Sequence, residues 1–220
     1  MDTPVLSNNE DDHPAIRVQM KDEEVWTAFN NVMLEYIATN EGRRMFPSIK
    51  ALIDNLQPSM TYDIHMDLIE RGRYAWTNNQ WIKIYDTSST TNVHNDGHVQ
   101  QLQRYRHENS LNLGSFWMDN PVSFARLKLT TRTENLTPDQ ITVKPMHMYV
   151  PRIQIVQRQS MDQENVLVHS QTLPRATFIA VTQYKNVAVT TRKIMYNPYA
   201  QHFLMTSNRY FQRQLPRIPG

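Results

Sequence analysis

The sequence predicts an all-β domain, an antiparallel sandwich or barrel with a few short helices. Apolar residues alternate with polar ones over several short segments, which is the pattern of half-buried strands. The clearest segments are 64–68, 81–85 and 152–156. Polar turns separate them, as they separate the short strands of a sandwich.

The composition indicates one domain with a tail at each end. The chain has 220 residues, of which 40% are hydrophobic and 10% aromatic, enough for one good core. We expect an acidic, disordered leader over residues 1–15, the domain over 16–205 and a C-terminal tail over 206–220. The absence of cysteine excludes disulfides and thiolate zinc sites. No apolar run approaches the ~20 residues of a membrane span, so we expect no membrane association.

The charge is distributed unevenly along the chain. Its net charge is only +2, but residues 1–24 hold seven acids and two bases, which leaves 21 bases against 14 acids and a net charge of +7 for the remainder. An excess of lysine and arginine is what neutralisation of nucleic-acid phosphates requires, although it can equally serve solubility.

The first element of the predicted domain is a helix. Trp26, Phe29, Val32 and Met33 recur at helical spacing, which predicts one short amphipathic helix. After it the apolar period changes to two, and the strands begin.

A strand is predicted over residues 122–129, where the apolar alternation shifts phase midway. A β-bulge explains such a shift. It turns Leu127 and Leu129 inward and leaves Arg126 and Lys128 together on the outer face. A merely solvated pair of charges on an exposed strand is the alternative.

Two polar stretches, 86–110 and 157–171, are too long for hairpin turns and are predicted as excursions from the sheet. The first contains His94, Asp96 and His98, a spacing that would suit a two-histidine, one-carboxylate metal site. A solvated loop is the favoured interpretation, so no metal site is predicted, and a metal-dependent enzyme is kept only as a remote alternative.

Catalytic motifs are absent from the sequence. It contains no glycine-rich phosphate loop, no Gly-x-Ser-x-Gly elbow and no cysteine nucleophile. Carboxylates such as Asp67 and Glu70 are expected to be surface or capping groups. We therefore predict no catalytic residues, no cofactor and no enzymatic activity.

The hexapeptide at 42–47, Gly-Arg-Arg-Met-Phe-Pro, is the most informative segment. A glycine frees the backbone before Arg43 and Arg44, and Met-Phe-Pro anchors it after them. This arrangement predicts two guanidiniums held out toward an anionic partner.

A second informative segment lies near the C-terminus. Asn197 followed by Pro198 has the form of an N-cap with proline in the first helical position, which predicts a short helix. Tyr199 and Phe203 then share one face of that helix. Such a pair often covers a core, but with Lys193 beside it the pair also resembles an apolar wedge that enters a minor groove.

A series of these segments resembles, in order, the signature blocks of the T-box DNA-binding domain. The blocks are Gly-Arg-Arg-Met-Phe-Pro at 42–47, Val-Ser-Phe at 122–124, Leu-Lys-Leu-Thr at 127–130, Pro-Arg-Ile at 151–153, Phe-Ile-Ala-Val-Thr at 178–182, and Lys-Ile at 193–194 leading to Asn-Pro at 197–198. The resemblance extends over residues 18–205. It implies an immunoglobulin-like β barrel that places loops and a C-terminal helix on DNA.

The resemblance also implies roles for individual residues. It places Arg43 and Arg44 at the major groove, side chains such as Lys128 along the phosphate backbone, and the aromatic helix in the minor groove. The residues it assigns to DNA are Arg43, Arg44, Lys128, Thr130, Lys193, Asn197, Pro198, Tyr199, Ala200 and Phe203. The implied protein is a nuclear transcription factor that reads a GTG-core element in double-stranded DNA, forms a homodimer on paired half-sites and recruits transcriptional co-regulators.

This chain departs from the T-box pattern at several positions. Tyr199 stands where the family has phenylalanine, Gln201 where it has lysine, and Lys185 where it has glutamine. These departures predict an altered site preference or affinity. They also motivate an alternative, an interaction module with the same fold that has weakened or lost DNA binding.

Overall fold

A computed structural model of the chain describes residues 14–29, 31–85, 103–159 and 164–197. It confirms the all-β sandwich. The strands are β1 (Arg17–Met20), β2 (Leu34–Ile37), β3 (Arg43–Arg44), β4 (Lys50–Asp54), β5 (Thr61–Thr77), β6 (Gln80–Lys83), β7 (Tyr105–Arg106), β8 (Asn112–Leu113), β9 (Val122–Ser123), β10 (Lys128–Thr130), β11 (Gln140–Thr142), β12 (His147–Gln157), β13 (Val166–Thr172) and β14 (Phe178–Val181).

The strands form one large sheet and two small ones. The large sheet has the order β2-β14-β12-β5-β6, with β13 also on β12 and with β7 and β8 also on β5. The small sheets are β1-β4-β9 and β11-β10-β3. Most pairs are antiparallel, but β2 with β14 and β10 with β11 are parallel.

The long antiparallel pair of β5 and β12 is the centre of the molecule. Ile64 and Met66 of β5, like Ile153 and Ile155 of β12, are fully buried in the core. Residues between them point to the other face of the sheet, because side chains alternate along a strand. The alternation predicted over 64–68 and 152–156 is therefore confirmed.

Helices contribute little to the described residues. They are α1 (Glu23–Phe29), α2 (Gly114–Asp119), α3 (Val187–Tyr196) and a short 3-10 helix (Pro174–Ala176). The predicted first helix forms as α1, which buries Trp26 and Phe29, but it ends at Phe29, so Val32 and Met33 lie beyond it. Within the described part of the chain, no helix has the length and apolarity to span a membrane.

The predicted single strand over 122–129 is wrong in one respect. The chain forms β9 and β10 in different sheets, joined by a turn in which the Leu127 N–H donates to the Phe124 oxygen at 3.1 Å. Both Phe124 and Leu127 are fully buried, as is Leu129. A turn rather than a bulge lets successive apolar side chains reach the same core. Consequently Arg126 lies exposed in the turn and does not share a strand face with Lys128.

Two further expectations need correction. The stretch 157–171 contains most of β13, which pairs with β12. Asp67 is fully buried rather than at the surface, because Arg152 lies directly opposite it on β12 and donates to both of its carboxylate oxygens, at 2.9 and 2.6 Å. Glu70, by contrast, is partly exposed and pairs with Lys144.

Candidate nucleic-acid interface

The arginine pair forms its own short strand. β3 runs antiparallel to β10, with Arg44 opposite Lys128 and Arg43 opposite Leu129. Both arginine side chains are exposed, and neither makes an ion pair with a described residue. The Lys128 ammonium lies 2.7 Å from the Asp139 carboxylate, so one acid partly balances this group of three cations.

Residues flanking the pair hold it in place. Gly42 has a φ of +84°, a backbone conformation that favours glycine over any residue with a side chain. Met45 is buried on the other side, and the Tyr36 hydroxyl donates to the Pro47 oxygen at 2.6 Å. The predicted anchoring of the hexapeptide is confirmed.

Thr130 lies inside the protein. It is fully buried, and its hydroxyl donates to the Asn40 oxygen at 3.0 Å. The neighbouring Thr131 hydroxyl donates to the Asn40 side chain at 2.9 Å. These two threonines therefore fix the loop that leads to Arg43, and the Thr130 hydroxyl does not face solvent.

Helix α3 was not predicted from the sequence. Asn186 caps it, with a side chain that accepts from the Ala188 N–H. Val189 and Lys193, one helical turn apart, face the interior. The signal that could have revealed the helix is Asn186 itself, a favoured N-cap residue. Val187 and the β-branched residues after it have strand propensity, which obscures the helix in the sequence.

The structure places Lys193 in the interior. Its ammonium donates to the backbone oxygen of Glu35 at 2.5 Å and lies 4.3 Å and 5.1 Å from the ring centres of Tyr36 and Tyr184. Burial is the main cause that lowers the pKa of Lys193, to about 7; Glu35 opposes this shift and Arg43 adds to it. The side chain predicted to follow a DNA backbone is thus occupied within the protein.

Glu35 is the residue that sequence reasoning missed. It is fully buried on β2, and its carboxylate accepts from the backbone N–H groups of Lys185 and Asn186 at 2.8 and 3.0 Å. The Trp81 indole donates to it at 2.9 Å. Glu35 thereby holds the start of α3 against the large sheet. Nothing in the sequence distinguishes it from an ordinary strand glutamate.

The end of α3 falls at the segment predicted to begin another helix. Asn197 is the C-cap of α3, with extended φ and ψ of −96° and 109°. Pro198, Tyr199, Ala200 and Phe203 lie outside the described residues, so the helix and wedge predicted there stay predictions. The same holds for the leader before Pro14 and for the C-terminal tail.

No group of three or more potential metal ligands occurs among the described residues. His94, Asp96 and His98 lie outside them.

Comparisons with known proteins agree with these features. The T-box family model matches residues 18–205. The chain is 32% identical over 207 residues to the T-box transcription factor T-A of Danio rerio, which covers 91% of this chain and 45% of that protein.

Two other relatives give the same result. Identity is 35% over 196 residues to the T-related protein of Drosophila melanogaster, covering 88% of this chain and 26% of that protein. It is 33% over 211 residues to the T-box transcription factor T of Canis lupus familiaris, covering 93% and 44%. The chain spans less than half the length of each of these relatives.

Proposed function

The chain belongs to the T-box family, and from this we propose that it is a sequence-specific transcription factor that binds double-stranded DNA in the nucleus. The observation that carries the proposal is the exposed pair Arg43 and Arg44, which meets no described acid. A guanidinium that is free of internal partners and carried on a restrained backbone is suited to a base edge or a phosphate.

Arg43 and Arg44 supply the major-groove contacts of the proposed complex. A guanidinium can bond bidentately to O6 and N7 of guanine, the commonest specific contact in DNA recognition. The pairing of β3 with β10 and the buried Met45 restrict the backbone of the pair. This restriction supports base reading, because a backbone that is already ordered loses little conformational entropy on binding.

Some residues expected to contact the phosphate backbone of DNA are given another role here. Lys128 lies opposite Arg44 and is partly exposed, so it is suited to a phosphate once Asp139 releases it. Thr130 and Lys193 are buried and are proposed to position the site. The minor-groove contacts proposed for Tyr199 and Phe203 rest on the family resemblance.

The interaction module remains the second candidate. The observation that favours it is the burial of Lys193, which removes one expected phosphate contact. Gln201 replaces a further cation of the family pattern. A fold of this kind does not by itself guarantee DNA binding.

One titration separates the two candidates. A duplex with a GTG core and a scrambled duplex of equal composition are titrated with the full chain across a salt series. A sequence-specific DNA-binding protein binds the GTG-core duplex ~10³-fold or more tightly than the scrambled duplex, and its affinity falls steeply as the salt concentration rises. Equal and weak binding to both duplexes would support the interaction module instead.

The remaining functional proposals follow from the family. We propose that the chain pairs as a homodimer on adjacent half-sites and recruits transcriptional co-regulators. Titration of duplexes carrying one or two half-sites, followed by analytical ultracentrifugation, tests the first of these. A strict one-to-one complex on both duplexes would contradict dimerisation.

A further inference from the structure

A cleft of about 380 Å³ lies on the outer face of the large sheet, lined in part by Asp63, His65, Arg104, Val156, Arg158 and Leu167. Asp63 and His65 flank the core residue Ile64 on β5, and Val156 follows the core residue Ile155 on β12, so these three side chains point away from the core.

The cleft is far from the arginine pair. It lies where β12 ends, opposite Asp63 of β5. The arginine pair connects to the other end of β12 through β10, since the Val143 N–H, shortly before β12 begins, donates to the Thr130 oxygen. Eleven residues of β12 separate the two ends, which corresponds to roughly 30 Å. A ligand in the cleft is thus independent of the DNA contacts proposed above.

The cleft carries an excess of positive charge. Asp63 is buried and is paired with Arg106, which donates to Oδ1 at 2.8 and 3.2 Å, and with Arg158 at Oδ2. Arg104 makes no ion pair with a described residue. Arg104, Arg106 and Arg158 all act on His65 beside this one carboxylate, which leaves a local charge of +2. Burial and the nearby arginines lower the pKa of His65, against the effect of Asp63, so this imidazole adds no charge near neutral pH.

Two buried nitrogen atoms beside this charge lack a hydrogen-bond partner among the described residues. They are Nδ1 of His65 and Nε of Arg158; Oδ2 of Asp63 also lacks a hydrogen bond and has only the ion-pair contact with Arg158. Buried polar groups are rarely left unpaired, because desolvation without a partner costs about 1–3 kcal/mol. An oxyanion in the cleft would supply acceptor oxygens to the charged Arg158 guanidinium and to the neutral His65 ring.

The walls of the cleft indicate what carries the anion. Val156 and Leu167 are apolar, and Leu167 is 52% exposed. No aromatic side chain of the described residues lines the cleft, so they offer bases no stacking platform of the kind that single-strand binders use. A compact anion next to an aliphatic side chain is characteristic of a peptide.

We infer that this cleft is a binding site for an acidic peptide segment of a partner protein. A phosphate monoester or carboxylate of the peptide lies between Arg104 and Arg158, and the adjacent aliphatic side chain packs on Leu167. Guanidiniums bind both anions bidentately, and the doubly charged phosphate gains more from the local charge.

The test uses three fluorescein-labelled peptides: Gly-Leu-phosphoserine-Leu-Gly and the same peptide with glutamate or with serine at the phosphoserine position. Each is titrated with the full chain, and binding is followed by fluorescence anisotropy. The expected order of affinity is phosphoserine, then glutamate, with the serine peptide about tenfold or more weaker than the best. Equal phosphoserine and glutamate affinities would identify a carboxylate site. Equal affinity for all three peptides would overturn the proposal.

Variants localise the binding. Arg104→Gln is expected to lower the affinity for the phosphoserine peptide about tenfold. Arg175→Gln, which removes an exposed arginine paired with Glu23, is the control and is expected to leave this affinity unchanged. Arg104 is the first choice because replacing Arg158 removes a partner from buried Asp63 and threatens folding. An Arg104→Gln variant with unaltered peptide affinity would overturn the site. A scrambled DNA duplex that displaces the peptide from the wild type, and binds the Arg104→Gln variant more weakly, would also overturn it. The cleft would then be a nucleic-acid contact.

Discussion

The ammonium of Lys193 donates a 2.5 Å hydrogen bond to the backbone oxygen of Glu35, 158 positions earlier in the chain. The Glu35 carboxylate accepts from the two backbone N–H groups that begin α3, at Lys185 and Asn186. Helix α3 is therefore held to β2 at its start by the carboxylate and further along by the lysine. The charge of Arg43 acts on Lys193 as well, so the same cluster lies beside the arginine pair.

Glu35→Gln is expected to destabilise the protein by about 2 to 4 kcal/mol, because an amide presents N–H groups to some of the three donors that now face a carboxylate. Urea unfolding followed by tryptophan fluorescence measures the change. Glu134→Gln, at an exposed position, is the matched control and is expected to be neutral. Equal stability of both variants would contradict the role given to Glu35.

The lowered pKa of Lys193 predicts that the stability of the protein depends on pH. Burial lowers its pKa to about 7 in the folded protein, whereas an exposed lysine of the unfolded chain titrates near about 10.4. Between these values the unfolded chain binds more protons at this residue. The free energy of unfolding therefore rises with pH, by up to about 1.4 kcal/mol per pH unit from this residue.

Lys193→Met removes that contribution, so the stability of the wild type relative to the variant is expected to increase from pH 7 to pH 9.5. Urea titrations at four pH values measure it, with Lys144→Met, which removes an exposed ammonium, as the control. Parallel curves for wild type and Lys193→Met would mean that the lysine stays charged throughout, stabilised by the rings of Tyr36 and Tyr184.

Arg43→Ala is expected to cost about 1 to 3 kcal/mol of binding to the GTG-core duplex and to reduce the preference at one guanine. Anisotropy titrations against duplexes with single substitutions in the core measure both effects. Arg126→Ala, which removes an exposed arginine from the turn before β10, is the control for charge alone. An equal loss on every duplex would make Arg43 a phosphate contact without base specificity.

Phe203→Ala is expected to lower DNA affinity without changing the melting temperature of the free protein, if the ring is a minor-groove wedge as the family resemblance implies. Binding titrations and thermal melts are made on the same preparation. A large drop in melting temperature would identify Phe203 as part of the core.

The departure at Gln201 is tested alongside, since Gln201→Lys is expected to raise the affinity for DNA and steepen its salt dependence.

Strand patterns and the hexapeptide were predictable because their signals are local. Alternation at 64–68 and 152–156 reports which face of each strand is buried, and both were confirmed. The hexapeptide carries its own glycine and its own buried anchor, Met45, so its exposed arginines needed no distant partner. Helix α3 was missed because its β-branched residues favour strands locally, and the cap and the Glu35 bonds outweigh that preference.

The sequence by itself determined the all-β class, the family and the arginine pair, since each depends on residues close together in the chain. Only the tertiary structure decided that Thr130 and Lys193 face inward, that Asp67 pairs with Arg152, and that Arg106 and Arg158 both pair with Asp63. The physical reason is that a lysine or threonine has no preferred side of its own. Its exposure depends on which distant element packs against it, as β2 packs against Lys193 of α3.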